Sequence, residues 1–243
     1  MEFPIGGSCM ADEKRQIFPA RHELKYFVSP AELALLRTRL SPVMARDSHV
    51  DESGRYHIRS LYFDDAHDSA YEDKLAGVMV RDKYRIRIYN LSDESIYVER
   101  KRKQGNLIQK TSARITRRLC DQLMRGDPTG LMQSQNDLIR DIYTQMRTKL
   151  LRPKVIVDYW REPFVYAAEN TRITFDTDVR SGGMSTDLFN RELLTVPART
   201  DGREVLEVKF DNFLPSHIAG LLNDLRAERS AISKYTLCRR YGL

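Results

Sequence analysis

The chain has 243 residues and a mass of 28.3 kDa, a length that suits one domain with one core. With 41% hydrophobic and 30% charged residues and a mean hydropathy of −0.52, it can bury that core under a charged surface, and no apolar run approaches the roughly 20 residues of a membrane span. Forty Lys and Arg against 34 Asp and Glu leave a net charge of +6, a modest excess that fits a phosphate-rich ligand, nucleic acid or an anionic membrane surface.

Residues 1–17 read as a flexible tail, with residues 18–243 as one folded unit. Ile5-Gly6-Gly7-Ser8-Cys9 has the look of a lipoprotein cleavage site, yet no basic n-region or apolar h-region precedes it, and Met10 offers a second start. Three cysteines, Cys9, Cys120 and Cys238, form no CxxC pair and no metal-ligand cluster. An odd, sparse count suits a reducing compartment, and a cytoplasmic location is expected.

Residues 21–28 read as a strand closed by Ser29-Pro30, where Ser29 as N-cap and Pro30 at the first helical position start a helix to about Leu40. His57 to Asp65 is a second strand, followed by a short helix around Asp68–Leu75. Strand candidates at 80–90, 94–103 and 106–114 are joined by turns at Asn90–Asp93 and Gln104-Gly105-Asn106, which suit antiparallel hairpins. Helical periodicity covers 116–126 and 135–150. Strand character returns at 154–161, 164–168 and 170–177, with Glu162-Pro163 and Glu169-Asn170 as turns. A strand at 203–210, a helix from about Pro215 and a last helix over about 231–240 complete the chain. About eight strands and five helices with sequential hairpins predict an α+β fold, its antiparallel sheet curled or closed into a barrel with helices packed around it.

Four of the strands place charge on every second residue: Arg21-His22-Glu23-Leu24-Lys25, Lys83-Tyr84-Arg85-Ile86-Arg87, Glu99-Arg100-Lys101-Arg102-Lys103 and Leu206-Glu207-Val208-Lys209-Phe210. Strand side chains alternate between faces, so each stretch presents a row of cations, in three of them with a carboxylate, along one face. If the apolar face meets the helices, the charged face points inward. Lone buried cations are costly, so such a barrel must be wide, wet and filled by a strongly anionic ligand, which a linear triphosphate or polyphosphate satisfies. The competing reading of these rows is a solvated sheet face. Lys83, Lys103 and Lys209 join the candidate phosphate ligands on this pattern, and Arg59, which shares a face with His57, is a further candidate. Ser233 and Lys234 open the last helix, where free N–H groups suit phosphate; the competing reading is a plain cap with a solvated lysine. His22, His49, His67 and His217 show no ligand spacing. Tyr62, Tyr84, Tyr89 and Trp160 read as core or rim aromatics, and no GxxxxGK[ST] loop is present.

These landmarks, together with Arg59-Ser60-Leu61-Tyr62-Phe63-Asp64, Arg172-Ile173-Thr174-Phe175-Asp176 and Ser233-Lys234-Tyr235, resemble the triphosphate tunnel metalloenzymes, and within them the VTC (vacuolar transporter chaperone) polyphosphate polymerase domain, over roughly residues 18–242. The resemblance implies an eight-stranded antiparallel tunnel whose inner wall holds a triphosphate unit through Lys and Arg, with Mn²⁺ or Mg²⁺ held by a carboxylate. By match to the family's basic positions, Lys25, Arg85, Arg87, Lys101, Arg172 and Lys234 are implied as phosphate ligands acting in catalysis, with Lys110 as one more. Glu207 is implied as the metal ligand, assisted by Glu23 and Glu99. The alternative for each carboxylate is an internal ion pair, with Lys209, Lys25 or Lys101. Two departures stand out: Arg21 replaces the first carboxylate of the superfamily's Glu-x-Glu-x-Lys opening, as in the polymerase branch, and this sequence holds neither an amino-terminal SPX domain nor a following membrane segment.

The favoured expectation is an enzyme that moves the γ-phosphoryl group of a nucleoside triphosphate, ATP, to a growing polyphosphate chain. The alternatives are a tripolyphosphatase or nucleoside triphosphatase using the same site, and a non-catalytic polyphosphate-binding module. RNA binding is disfavoured because the cations alternate within strands and do not form an exposed stripe with aromatics.

Overall fold

The computed structural model describes residues 15–105, 107–223, 225, 227 and 229–240, with side chains from Arg21 onward. The expected tail therefore lies outside the described residues up to position 14. The elements are β1 (Arg15–Val28), α1 (Pro30–Leu40), β2 (Ala45–Arg46), β3 (Tyr56–Asp64), α2 (Ser69–Leu75), β4 (Val80–Tyr89), β5 (Ser92–Gln104), β6 (Leu107–Ile115), α3 (Arg117–Met124), α4 (Asp137–Thr148), β7 (Arg152–Tyr166), β8 (Thr171–Ser181), β9 (Val196–Pro197), β10 (Glu204–Phe210), α5 (Ser216–Leu222) and α6 (Lys234–Arg239).

Eight of these strands close in the order β7-β3-β4-β5-β6-β1-β10-β8, with β8 pairing back onto β7; β2 and β9 are two-residue additions to β7 and β8. Every pairing is antiparallel. The period-two pattern decides which side chains go where. On β4, Tyr84, Ile86 and Ile88 face outward into a core with Leu123 of α3 and Ile139 and Ile142 of α4. On the opposite flank Leu33, Leu36 and Leu40 of α1 and Ile218 of α5 cover Phe164, Ile173, Phe175, Leu206 and Val208. The charged alternates of the same strands are left inside.

Local sequence explains several boundaries. Ser29 and Glu32 form a capping box at the start of α1, with Ser29 Oγ accepting from the Glu32 amide at 3.2 Å and the Ser29 amide donating to Glu32 Oε2 at 2.8 Å. Asn90 and Leu91, at φ 50° and 55°, make the tight β4–β5 turn that primed hairpin turns require. Gly105 takes φ 59° in the next turn, whose Asn106 lies outside the described residues.

Two expectations needed correction. Residues 15–17 belong to β1, paired Arg15 with Ala113 through Phe18 with Lys110. The ladder is interrupted by an irregularity between Phe18 and Arg21, which is where Pro19 falls, since proline is tolerated at a bulge. Likewise, Glu162-Pro163 is not a turn: β7 runs unbroken for 15 residues. Pro163 sits in the gap between the last β3 partner, Arg161, and the first β2 partner, Phe164, so no ladder neighbour on that flank needs its missing N–H.

The last helix is anchored at one end of the barrel. Asp64, at the end of β3, accepts from the amides of Ala70 at 2.9 Å and Tyr71 at 3.1 Å in α2, and from the Tyr235 hydroxyl of α6. Tyr235 also stacks on Tyr62 with centroids 5.2 Å apart. This single buried carboxylate ties β3, α2 and α6 together, and burial pushes its pKa up.

Candidate active site

The barrel encloses a cavity of about 480 Å³. Its lining includes Lys83, Arg85 and Arg87 from β4, Lys101 and Lys103 from β5, Glu23 and Lys25 from β1, Glu207 and Lys209 from β10, Arg161 from β7 and Lys234 from α6. Glu99 of β5, Lys110 of β6 and Asp176 of β8 share the inward parity and stand behind it, with Glu99 pairing Lys110 and Arg85 and Asp176 pairing Arg161 and Lys234. Ten cations thus meet four carboxylates.

Each carboxylate is shared by at least two cations. Glu99, 2% exposed, accepts from Arg85 Nε at 2.7 Å and pairs with Lys110 at 3.2 Å. Burial would raise its pKa, but Arg85, Arg87 and Lys110 outweigh it and hold the group ionised. Glu23 lies 2.9 Å from Lys25 and 2.6 Å from Lys101; burial again opposes ionisation, and Lys101, Lys25 and Lys209 together win. Asp176 takes a two-pronged contact from Arg161, at 2.6 and 2.7 Å, and a further ion pair from Lys234. Glu207 is surrounded by Arg161 at 3.3 Å, Lys209 at 3.4 Å and Lys25 at 3.6 Å.

Other cations have no carboxylate among the described residues. Arg87, 7% exposed, donates only to the hydroxyls of Ser60 at 3.2 Å and Tyr159 at 3.1 Å. Lys83 donates to Ser233 Oγ at 2.8 Å, while Ser233 also caps α6 through the Thr236 amide. The positive potential registers on Tyr159, where burial would raise the phenol but Arg161 and Arg87 pull it below its usual value. An interior with this excess of positive charge is complementary to a linear polyanion, and guanidinium forks and ammonium groups suit non-bridging phosphate oxygens.

Burial, reinforced by neighbouring cations, lowers the ammonium pKa of Lys83 and of Lys209 to about 7 in each case. Both therefore hold their protons less firmly in the free protein than an exposed ammonium does, and a bound phosphate chain favours the charged forms. Binding at pH 8 of a long polyphosphate chain, whose internal phosphoryl groups are fully ionised, is therefore expected to take up protons, read by calorimetry in buffers of different ionisation enthalpy. Lys209→Met should lower the uptake; an unchanged uptake would contradict the assignment.

The structure brings together Lys25, Lys83, Arg85, Arg87, Lys101, Lys103, Lys110, Lys209, Lys234, Ser233 and the carboxylates Glu23, Glu99 and Glu207. Arg172 stands on the same face of β8, opposite Lys209, and is engaged by Asp47 at 2.7 Å and the Tyr56 hydroxyl at 2.9 Å. Arg59 does not join the set. It points outward, held by Asp158 at 2.7 Å and by the carbonyls of Leu188 and Asn190, and His57 binds the other oxygen of Asp158 at 2.7 Å. Sequence reading missed Arg161 and Asp176 as site residues. Their signal was parity, Arg161 with Tyr159 and Asp176 with Arg172 and Thr174, and the supposed turn at residue 162 hid the first.

A closed eight-stranded antiparallel barrel with helices around it and a cationic interior is the triphosphate tunnel fold. The VTC domain model matches residues 20–241, and the chain belongs to that family. Among solved structures it is similar to HpAC1 from Hippeastrum, assigned as an adenylyl cyclase and described as having a dominant triphosphatase activity, at 16% identity and TM-score 0.55 over 92% of this chain and 97% of that one. It is also similar, at 16% identity and TM-score 0.48, to a Bacillus halodurans protein assigned as an adenylate cyclase, over 84% of this chain and 86% of that one. A search of the curated proteins finds no match.

Proposed function

We propose that this chain, acting as one folded unit that begins with β1, is a metal-dependent polyphosphate polymerase that uses ATP. The observation that carries the reading is a barrel interior whose lining Lys and Arg far outnumber its carboxylates, Glu23 and Glu207, in a chain of the VTC family. In the proposed step the bond between the γ-phosphorus and the β-bridging oxygen of ATP breaks. A new bond forms from that phosphorus to a terminal oxygen of the polyphosphate chain, and ADP leaves.

Phosphoryl transfer asks mainly for alignment and for charge stabilisation on the phosphate oxygens. Arg85 and Arg87, two residues apart on one face and so roughly 6.5–7 Å apart along the strand, would address successive phosphoryl groups. Lys101, Lys25 and Lys209 face them from β5, β1 and β10. The acceptor is an already ionised phosphate oxygen, so no general base is needed, and no side-chain nucleophile takes part. Lys234, held by Asp176, and Lys83, held by Ser233, would orient the chain near α6.

Mn²⁺ or Mg²⁺ prefers hard oxygen donors and commonly uses one or two carboxylates with substrate phosphates. The residues present fit that pattern: Glu23 and Glu207 approach the same Lys25 ammonium, and Thr174 Oγ1, on the strand residue paired with Glu207, is buried without a hydrogen-bond partner. Glu207 with Glu23 would hold the ion, while Glu99 is engaged by Arg85 and Lys110. When bound, the ion would offset negative charge on the phosphate oxygens.

Hydrolysis is the second reading, with water as acceptor in the same cradle, and the triphosphatase activity of HpAC1 favours it. A cytoplasmic location fits two buried cysteines with free thiols, Cys120 and Cys238. Incubation with ATP and Mn²⁺ followed by ³¹P NMR separates the readings. An internal-phosphate resonance appearing with ADP is expected; orthophosphate as the sole phosphorus product besides ADP would establish the hydrolase and sink the polymerase.

A further inference from the structure

Where β4 begins and β5 ends, the cavity wall changes character. Along this face Arg85 stands opposite Glu99, but the next pairs are Lys83 opposite Lys101 and Arg81 opposite Lys103. Like charges directly opposed on neighbouring strands destabilise a sheet. Lys101 is offset by Glu23, whereas Arg81 donates to the Val78 carbonyl and neither it nor Lys103 forms an ion pair among the described residues. Lys74 of α2 lines the same opening, as does Arg229, in the segment that bridges to β1 at Tyr26. Neither has a carboxylate partner among the described residues.

These cations register one another. Burial lowers the Lys74 ammonium, and Arg81 and Lys103 lower it further. Lys103 is depressed by burial, then by Arg81 and Lys25. Asp73 gives Arg81 only through-space relief. Inside the tunnel most cations share carboxylates, but at this mouth four are gathered without one. Such crowding is unfavourable until an anion enters.

The length of the row matters too. From Arg87 to Arg81 is six residues of strand, roughly 20 Å, which is longer than a triphosphate. A triphosphate cradled around Arg85 and Arg87 leaves the outer pair unused.

We propose that Lys74, Arg81, Lys103 and Arg229 form an outer anion subsite that holds phosphoryl units of a polyphosphate chain beyond the triphosphate segment in the tunnel, so that affinity grows with chain length. The proposal rests on the polyphosphate reading of the tunnel. It assigns chain-length preference to the mouth and leaves the triphosphate contacts to the interior.

The test compares tripolyphosphate with a long-chain polyphosphate fraction, titrated into the wild-type protein and into the triple variant Lys74→Ala, Arg81→Ala, Arg229→Ala. The variant is expected to lose about tenfold in affinity for the long chain, as several partly exposed charge contacts would give, and to bind tripolyphosphate within about twofold of wild type. The salt dependence of long-chain binding should flatten in parallel. The charge-keeping variant Lys74→Arg, Arg81→Lys, Arg229→Lys should retain the long-chain preference. Equal losses for both ligands, or no loss for either, would overturn the outer subsite while leaving the tunnel reading intact. Failure of wild-type protein to bind tripolyphosphate would overturn both.

Discussion

Arg161→Ala is expected to destabilise the chain by about 3–5 kcal/mol, the cost of stripping one partner from a buried ion pair. Its guanidinium grips Asp176 at 2.6 and 2.7 Å and reaches Glu207 at 3.3 Å, and both carboxylates are almost wholly buried. Without it Asp176 keeps only Lys234, and Glu207 loses the partner that links β7 to β10. For a chain of this size the loss corresponds to a melting temperature lower by roughly 10 °C. Arg161→Lys should recover part of the loss, because an ammonium supplies the charge but not the two-pronged contact. The double variant with Asp176→Ala should be less damaged than the two single effects added, since it removes the uncompensated charge. A melting temperature unchanged by Arg161→Ala would show that the tunnel's stability does not depend on this pair.

The second large effect concerns activity. Glu207→Gln preserves shape and is expected to lower Mn²⁺-supported turnover by at least ~100-fold, the scale seen when one group stabilising transition-state charge is lost. Glu99→Gln should behave differently. Glu99 is held by Arg85 Nε at 2.7 Å and Nη2 at 2.6 Å and by Lys110, so its loss should lower stability and leave the metal concentration for half-maximal activity in place. Metal titrations of both purified variants, with circular dichroism to verify the fold, separate a ligand from a structural counter-charge. Metal dependence in Glu207→Gln matching wild type would remove Glu207 from the metal site.

The inward face was legible because strand parity is local. Lys83, Arg85 and Arg87 alternate with Tyr84 and Ile86, and the structure sends the first set inward and the second under α3 and α4. Helix α1 was equally legible, since its cap, proline and apolar spacing all lie within twelve residues of sequence. What escaped depended on partners distant in sequence. Arg59 has the right charge on a barrel strand, yet it faces outward, where Asp158 and the Leu188 and Asn190 carbonyls absorb it. Nothing near residue 59 signals those partners. Pro163 suggested a break, because the gap that tolerates it exists only once β3 and β2 are laid against β7. Arg161 and Asp176 become a site only when β7 and β8 close the barrel and set them in register.

The most direct measurement is a crystal structure of the protein soaked with tripolyphosphate and Mn²⁺. Three phosphorus positions are expected inside the barrel, with phosphate oxygens within hydrogen-bond reach of Arg85, Arg87, Lys101 and Lys209 and the metal beside Glu207. Tripolyphosphate seated on the outer surface, with no phosphate oxygen near Arg85, Arg87, Lys101 or Lys209, would contradict a triphosphate-binding interior.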